Sequence, residues 1–310
     1  MISQKDFISL SDYNPEEIIE LLDLADQLKA DNKAGRSHHL LKEKTLGMIF
    51  AKSSTRTRIS FEVGIYQLGG MGIFLNNNDI QLGRGETVED SARVMSRYLD
   101  GLMIRTYSHS SVVRLAAHST IPVINGLTDL EHPCQVLCDL MTIREKKGTL
   151  GGLKLAYIGD GNNMANSLLQ GAALVGMDIH VATPPGYEAD PVCVQQAETI
   201  AASTNTRVEI GYDPIEAVRG ADAVYTDTWI SMGQEQERNE RIQTMKGFTV
   251  DQSMMAHADS QAIFLHCLPA YRGMEVSEEV FEGAQSVVFD QAENRLHAQK
   301  AIMARLMGEK

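Results

Sequence analysis

LGMIFAKSSTRTRISFEVGIYQLGGMGIFL, residues 46–75, sets two short apolar runs, LGMIFA (46–51) and MGIFL (71–75), on either side of a longer stretch, ISFEVGIYQLGG. The runs are of strand length and continuously apolar, and the stretch between them reads as a helix. The same alternation recurs almost to the end of the chain. Strand-like runs fall at 101–105 (GLMIR), 121–124 (IPVI), 153–158 (LKLAYI), 178–182 (DIHVA), 207–210 (RVEI), 222–226 (DAVYT), 262–266 (AIFLH) and 286–289 (SVVF). Between two of them, 87–99 places Val88, Ala92, Met95 and Leu99 at helical spacing, and Thr87 with Asp90 resembles a capping box. Such alternation predicts parallel sheets covered by helices on both faces. Ten strands are too many for one compact open sheet. The predicted class is therefore α/β, with two doubly wound parallel-sheet domains, and KKGTLGG (146–152) supplies the break between them.

The length of 310 residues suits two domains of roughly 150 residues each. Hydrophobic residues at 43% and charged residues at 22% are a globular composition and exclude a disordered or collagenous chain. The 28 Lys and Arg against 41 Asp and Glu leave a net charge of −13, which repels a phosphate backbone, so nucleic acid is not an expected partner. An anionic substrate must then be held by a local cluster of Arg. MISQKDFISLSDYN lacks the basic and apolar regions of a signal peptide, and no apolar run approaches the roughly 20 residues of a membrane span. Cys134, Cys138, Cys193 and Cys267 form no CxxC pair and suit a reducing compartment; a cytoplasmic protein with no membrane partner is expected.

In open parallel sheets, ligands sit beyond the carboxyl ends of the strands, and five such ends carry unusual polar sequence. After LGMIFA, the segment Lys52-Ser53-Ser54-Thr55-Arg56-Thr57-Arg58 concentrates hydroxyls and guanidinium groups at a helix N-terminus, which favours an anion. Arg adds a planar fork that matches phosphate oxygens. The segment is no Walker loop, since GxxxxGK[ST] is absent. Arg105 emerges directly from an apolar strand. Further on, Glu131-His132-Pro133-Cys134-Gln135 puts Pro133 at the first helical position and His132 at the helix entrance. A neutral His there can donate to a developing oxyanion. Gly159-Asp160-Gly161-Asn162-Asn163 resembles a dinucleotide fingerprint but lacks its third glycine, and DIHVATPPG ends without an acidic residue for a ribose; a nicotinamide site is disfavoured. Asp227-Thr228-Trp229-Ile230-Ser231-Met232-Gly233 offers a carboxylate and a hydroxyl suited to an amine or amino acid. His266 and Cys267, adjacent at a strand end, are expected on opposite faces and so make a poor zinc pair.

Together SSTRTR, HPCQ, HCLP and the strand-end Arg105 resemble the signature set of the carbamoyltransferases, and the resemblance runs through nearly the whole chain, including 80–100 and Glu293-Asn294-Arg295. The pattern from Asp227 to Gly233 resembles the ornithine-specific branch. That resemblance implies carbamoyl phosphate contacts at Ser54, Thr55, Arg56, Thr57, Gln81, Arg105, His132, Pro133, Cys134, Gln135, Cys267, Leu268 and Arg295. It implies ornithine contacts at Asn163, Asp227, Ser231 and Met232, with Arg105, His132, Gln135, Asp227 and Cys267 acting in catalysis. A carbamoyl phosphate-binding domain over 1–147, an ornithine-binding domain over 148–291, and a C-terminal helix over 292–310 returning to the first domain are implied, since Arg295 must reach the phosphate site. No metal or organic cofactor is implied. The family habit is a homotrimer or a multiple of trimers, with Gln81 completing a neighbouring subunit's site. Other acceptors, namely putrescine, N-acetylornithine and aspartate, remain open, as does a nucleophilic role for Cys267.

Overall fold

The computed structural model describes residues 4–76, 80, 85–230 and 235–308. Gln81, Ser231 and Met232 lie outside the described residues. The chain forms two compact units, Met1–Met141 with Glu293–Lys310, and Thr142–Ala292. The divisions fall inside two helices, Pro133–Lys147 and Val288–Met307. Among the described residues, no helix is long and apolar enough to cross a membrane.

The first unit is built on a four-stranded parallel sheet of β1 (Thr45–Phe50), β2 (Met71–Asn76), β3 (Gly101–Arg105) and β4 (Val123–Leu127), in the order β2-β1-β3-β4. Every residue of β3 and β4 is buried, as is β1 after Thr45, which suits their mostly apolar sequence, whereas the edge strand β2 is only partly covered. Helices α1 (Pro15–Lys33), α2 (Thr55–Gln67), α3 (Val88–Met95), α4 (His109–His118) and α5 (Pro133–Lys147) follow in chain order. Ile49, Ile104, Val112, Leu115 and Val123 form one side of the core. The chain winds from β1 outward to β2, then reverses to β3 and β4. That reversal makes a topological switch point between β1 and β3.

The second unit repeats the plan with five parallel strands, β5 (Lys154–Ile158), β6 (Asp178–Ala182), β7 (Val208–Gly211), β8 (Ala223–Thr226) and β9 (Ile263–His266), in the order β7-β6-β5-β8-β9. Its helices are α6 (Asn163–Leu174), α7 (Pro191–Thr204), α8 (Pro214–Val218), α9 (Arg238–Thr244), α10 (Gln252–Met255) and α11 (Glu278–Phe281), while α12 (Val288–Met307) starts in this unit and from Glu293 onward belongs to the first. Here the winding reverses between β5 and β8. Ile158, Val224, Phe264, Met254 and Trp229 meet in one core cluster.

The tenth expected strand is absent. Ser286 makes only an isolated bridge with Phe264, and the apolar run continues as the first turn of α12. In that setting Val287 and Val288 are buried while Phe289 is 64% exposed, a sidedness that a short apolar run cannot declare by itself. The C-terminal helix accordingly begins at Val288 rather than 292. The fourth strand runs to Leu127 instead of ending at 124, because Asn125 hides its amide by donating to the Ile8 carbonyl at 2.9 Å. In α3, Thr87 accepts from the Asp90 N–H at 3.1 Å, and the helix stops at Met95, with Ser96 as its C-cap.

α12 is fastened to the first unit by polar contacts as well as by its apolar face. Lys29 of α1 donates to Asn294 at 2.7 Å, and the buried Lys300 donates to Gln67 at 2.9 Å and meets His38 Nε2 at 3.0 Å. Burial brings the Lys300 ammonium down to about 8.

The glycine-rich turn after β5 has a packing explanation. A Cβ at Gly161 would stand 2.3–2.5 Å from backbone atoms of Tyr187, Glu188 and Ala189, and the Gly161 N–H donates to the Tyr187 carbonyl at 2.8 Å. Backbone on the far side cannot swing away as a side chain can. Gly161→Ala is therefore expected to destabilise the second unit by about 3 kcal/mol, the upper range for overpacking. A urea midpoint unchanged from the parent would contradict the close approach.

Candidate active site

In the first unit, the residues leaving β1 enter α2 through Ser54. The Ser54 hydroxyl accepts from the Thr57 N–H at 3.2 Å, a helix N-cap, and donates to Thr57 Oγ1 at 3.0 Å. That same oxygen receives Arg105 Nη1 at 3.4 Å from the end of β3 and Arg295 Nη2 at 2.9 Å from α12. Arg295 Nη1 donates to Gln135 Oε1. Thr57, Arg105, Gln135 and Arg295 are all buried. Two guanidinium groups thus converge beside a helix N-terminus at the β1/β3 switch point, where a phosphate would be held by charge and by N–H donors together. Lys52, also buried, lies 4.9 Å from the Tyr107 ring centroid and adds a third cation.

His132 immediately precedes Pro133, the first residue of α5. Desolvation is the main reason that its imidazole titrates well below 6.5, and the charges of Arg295, Arg105, Lys52 and Arg56 push it further the same way. At neutral pH it is an uncharged ring, able to donate one N–H to an oxygen that gains charge. Cys134 turns its thiol to the Asn125 carbonyl at 3.2 Å, a structural contact, so any ligand contact there falls to its backbone. Thr55 is exposed on the first turn of α2, and Arg56 beside it is half-buried.

The second unit gathers a different set. Asp227, just past β8, accepts at Oδ1 from the Thr228 N–H at 2.7 Å and the Cys267 thiol at 3.0 Å, and at Oδ2 from the Asn162 amide at 2.9 Å. Asn162 in turn caps α6, accepting from Met164 and Ala165, and the Tyr157 hydroxyl lies 3.3 Å away. This cluster stands at the β5/β8 switch point. Asn163 opens α6, directly after the Asn162 amide that meets the Asp227 carboxylate. Trp229 is only 4% exposed and belongs to the core, so the loop after Asp227 begins from a fixed anchor. Arg241 reinforces that anchor by donating to the Trp229 carbonyl at 3.3 Å and to Asp160 at 2.9 Å.

His266 and Cys267 are closer partners than strand alternation suggested. β9 ends at His266, so Cys267 is free of the pleat, and the ligand atoms of Asp227, His266 and Cys267 lie within 4.8 Å of one another. Yet His266 Nδ1 accepts the Leu268 N–H at 2.9 Å, and its Nε2 lies 3.2 Å from Glu275. A cation would have to displace one of these contacts. The Leu268 backbone, at φ +62°, is held by the first of them.

Sequence reading overlooked Lys52, Asn162, Asp139 and Glu275. Lys52 stood within the quoted basic segment, and Asp139 is four residues after Gln135, on the same helical face. Asn162 and Glu275 carry no local signal, because their partners come from other strands and turns.

The lowered His132 pKa has a signed consequence for stability. Below about pH 6.5 the unfolded chain takes up a proton that folded His132 refuses, so folding weakens as pH falls from there toward the folded pKa. His132→Gln should flatten the stability–pH curve between pH 6.5 and 5.5 by up to about 1.4 kcal/mol per pH unit relative to the parent. Parallel curves for the two proteins in urea titrations would show that His132 is protonated normally.

Two family descriptions account for the chain: the carbamoyl-P binding domain of the aspartate/ornithine carbamoyltransferases matches residues 5–145, and their Asp/Orn binding domain matches 151–306. The chain is 58% identical over 303 residues to the ornithine carbamoyltransferase of Symbiobacterium thermophilum, and 56% identical over 304 residues to that of Carboxydothermus hydrogenoformans, each pair covering 98% of both chains. The solved ornithine carbamoyltransferase of Pyrococcus furiosus superposes with a TM-score of 0.96 at 52% identity, covering 98% of each chain. A guanidinium cluster at one switch point and a carboxylate–thiol cluster at the other thus occur in a sequence alike from end to end, and the chain belongs to the aspartate/ornithine carbamoyltransferase family.

Proposed function

We propose that this protein transfers the carbamoyl group of carbamoyl phosphate to the δ-amine of L-ornithine, giving L-citrulline and inorganic phosphate. The observation that carries the reading is the convergence of Arg105 and Arg295 on Thr57 beside an uncharged His132. In this reading the phosphate sits on the α2 N-terminus at Ser54, Thr55, Arg56 and Thr57, with Arg105, Arg295 and Gln81. The amine lone pair attacks the carbonyl carbon directly, forming the C–N bond and a tetrahedral intermediate. Charge gathers on the former carbonyl oxygen, which Arg105, His132 and Thr57 receive. One such donor is worth roughly 3–4 kcal/mol of barrier. Collapse breaks the bond from carbon to the bridging oxygen, and phosphate departs with that electron pair and takes up the remaining excess proton of the attacking nitrogen. Gln135 and the Leu268 carbonyl hold the carbamoyl amide; Pro133 and Cys134 contribute backbone.

The acceptor is read into the second cluster. Asp227 pairs with the α-ammonium, while Asn163, Ser231 and Met232 serve the α-carboxylate. An alkyl ammonium has a pKa of about 10.4, so the δ-amine must be stripped of a proton before it attacks. Desolvation favours that loss, and Asp227 with Cys267 is the relay: the thiol already donates to the carboxylate at 3.0 Å. Direct transfer needs no cysteine adduct. The four cysteines are free, which supports a reducing cytoplasm, and a citrulline-forming reaction is read as a step of arginine metabolism.

A homotrimer is part of the same reading. Its support is an exposed apolar stripe on α2, Ile59, Val63 and Tyr66, next in sequence to Met71 and Ile73 on the edge strand β2. Apolar side chains at i, i+4 and i+7 form one helix face, which another subunit would cover.

Citrulline should form from carbamoyl phosphate and ornithine far faster than the corresponding products from putrescine, N-acetylornithine or aspartate; equal rates with putrescine would refute the amino-acid site. Asp227→Asn should raise the KM for ornithine roughly 10- to 100-fold, the worth of a charge-assisted hydrogen bond, and leave carbamoyl phosphate binding near normal. Mixed, exchanged subunits carrying Gln81→Ala or Arg105→Ala should regain part of the activity through hybrid sites. No recovery after proven exchange would mean that each subunit works alone.

A further inference from the structure

We propose that Asp139 is a positioning residue that fixes the Gln135 amide with its oxygen toward the anion site, so that the site selects a ligand carrying an amide N–H. The inference rests on the carbamoyl phosphate reading above. Gln135 and Asp139 are i and i+4 on α5, and both are buried, at 1% and 0% exposure. Gln135 Nε2 donates to Asp139 Oδ1 at 2.7 Å and points its weaker contact at Cys138 Sγ, 3.8 Å away. Its Oε1 accepts from Arg295 Nη1.

A glutamine amide can be turned over with little change of shape, exchanging a donor for an acceptor. Here both neighbours forbid the exchange. Turned over, the amide would set its oxygen against a carboxylate oxygen and its NH2 against a guanidinium that can only donate. One end is thus decided by Asp139 and the other by Arg295, and the two agree. Arg295 belongs to the phosphate cluster through Thr57, so the oriented oxygen faces the place assigned to the substrate. An sp2 oxygen has a second lone pair. It can accept the N–H of a carbamoyl group while still holding Arg295, whereas a methyl in that position would leave it unpaired. Discrimination between a carbamoyl and an acetyl group of similar size then lies in a carboxylate that touches neither. Sites that hydrogen-bond a ligand N–H reject the analogue lacking it far better than apolar pockets reject an extra carbon.

The test uses two inhibitors of one shape, phosphonoacetamide and 2-oxopropylphosphonate, in which a methyl replaces the NH2. Inorganic phosphate reports the anion site alone. The parent enzyme should prefer the amide by at least about tenfold, and Asp139→Asn, which leaves Arg295 alone to orient the Gln135 amide, should reduce that preference by at least about threefold. Phosphate inhibition should stay within about twofold. Gln135→Ala should lose the preference as well, and adding Asp139→Asn to it should change nothing further, because the effect passes through Gln135. An Asp139→Asn enzyme that keeps the parent's preference would overturn the inference. So would loss of phosphate binding in both Asp139→Asn and Asp139→Thr, which would assign Asp139 to the fold. A parent enzyme with no preference would instead overturn the role given to Gln135 in carbamoyl phosphate binding.

Discussion

Two guanidinium groups, Arg105 and Arg295, share the hydroxyl oxygen of Thr57 in a buried place, and much of the first unit can be understood as the means of holding them there. Like charges brought together out of water repel strongly, and a neutral oxygen relieves little of it. A dianion that accepts from both forks relieves a great deal. The arrangement also explains why a chain of net charge −13 can bind an anion, since the local field is opposite to the global one. It accounts for the state of His132 as well. A ring desolvated beside several cations stays neutral, which is the form that donates to an oxyanion without adding a charge of its own.

Both clusters occupy the same topological position in their own sheets. Chain reversal between β1 and β3 and between β5 and β8 opens a gap at the strand carboxyl ends, and the loops bordering each gap carry the polar residues. The two sites differ in sign because the loops differ. After β1 the chain enters a helix at once, presenting N–H groups and arginines. After β8 it presents a carboxylate whose two oxygens are already engaged by Asn162, Thr228 and Cys267. Such an Asp is held in one orientation by three donors.

Much of this was legible in the sequence because it is local. Continuous apolar runs marked the buried strands, and Ser54 and Pro133 declared their helices by capping chemistry. What escaped reading is what depends on distant partners. The run at 286–289 was ambiguous because four residues are too few to separate a strand from a helix turn, and its neighbours in space decided it. Asn162 escaped notice because nothing local says that its amide meets Asp227, which comes from another strand. Asp139 lay one helical turn from Gln135 and could have been found by spacing alone.

Arg295 and Thr57 are 238 residues apart in the chain, and that separation gives the protein a timetable. The four strands of the first sheet are complete at Leu127, yet α12, which supplies Arg295 and the buried Lys300, is made last. At a synthesis rate of roughly 5–20 residues per second, the gap between Leu127 and Arg295 lasts on the order of ten to thirty seconds. Throughout that interval the second unit can be born whole from contiguous chain, while the first waits with an open flank. The domain begun first is finished last, so a nascent chain cut short anywhere before α12 lacks the second guanidinium group beside Thr57.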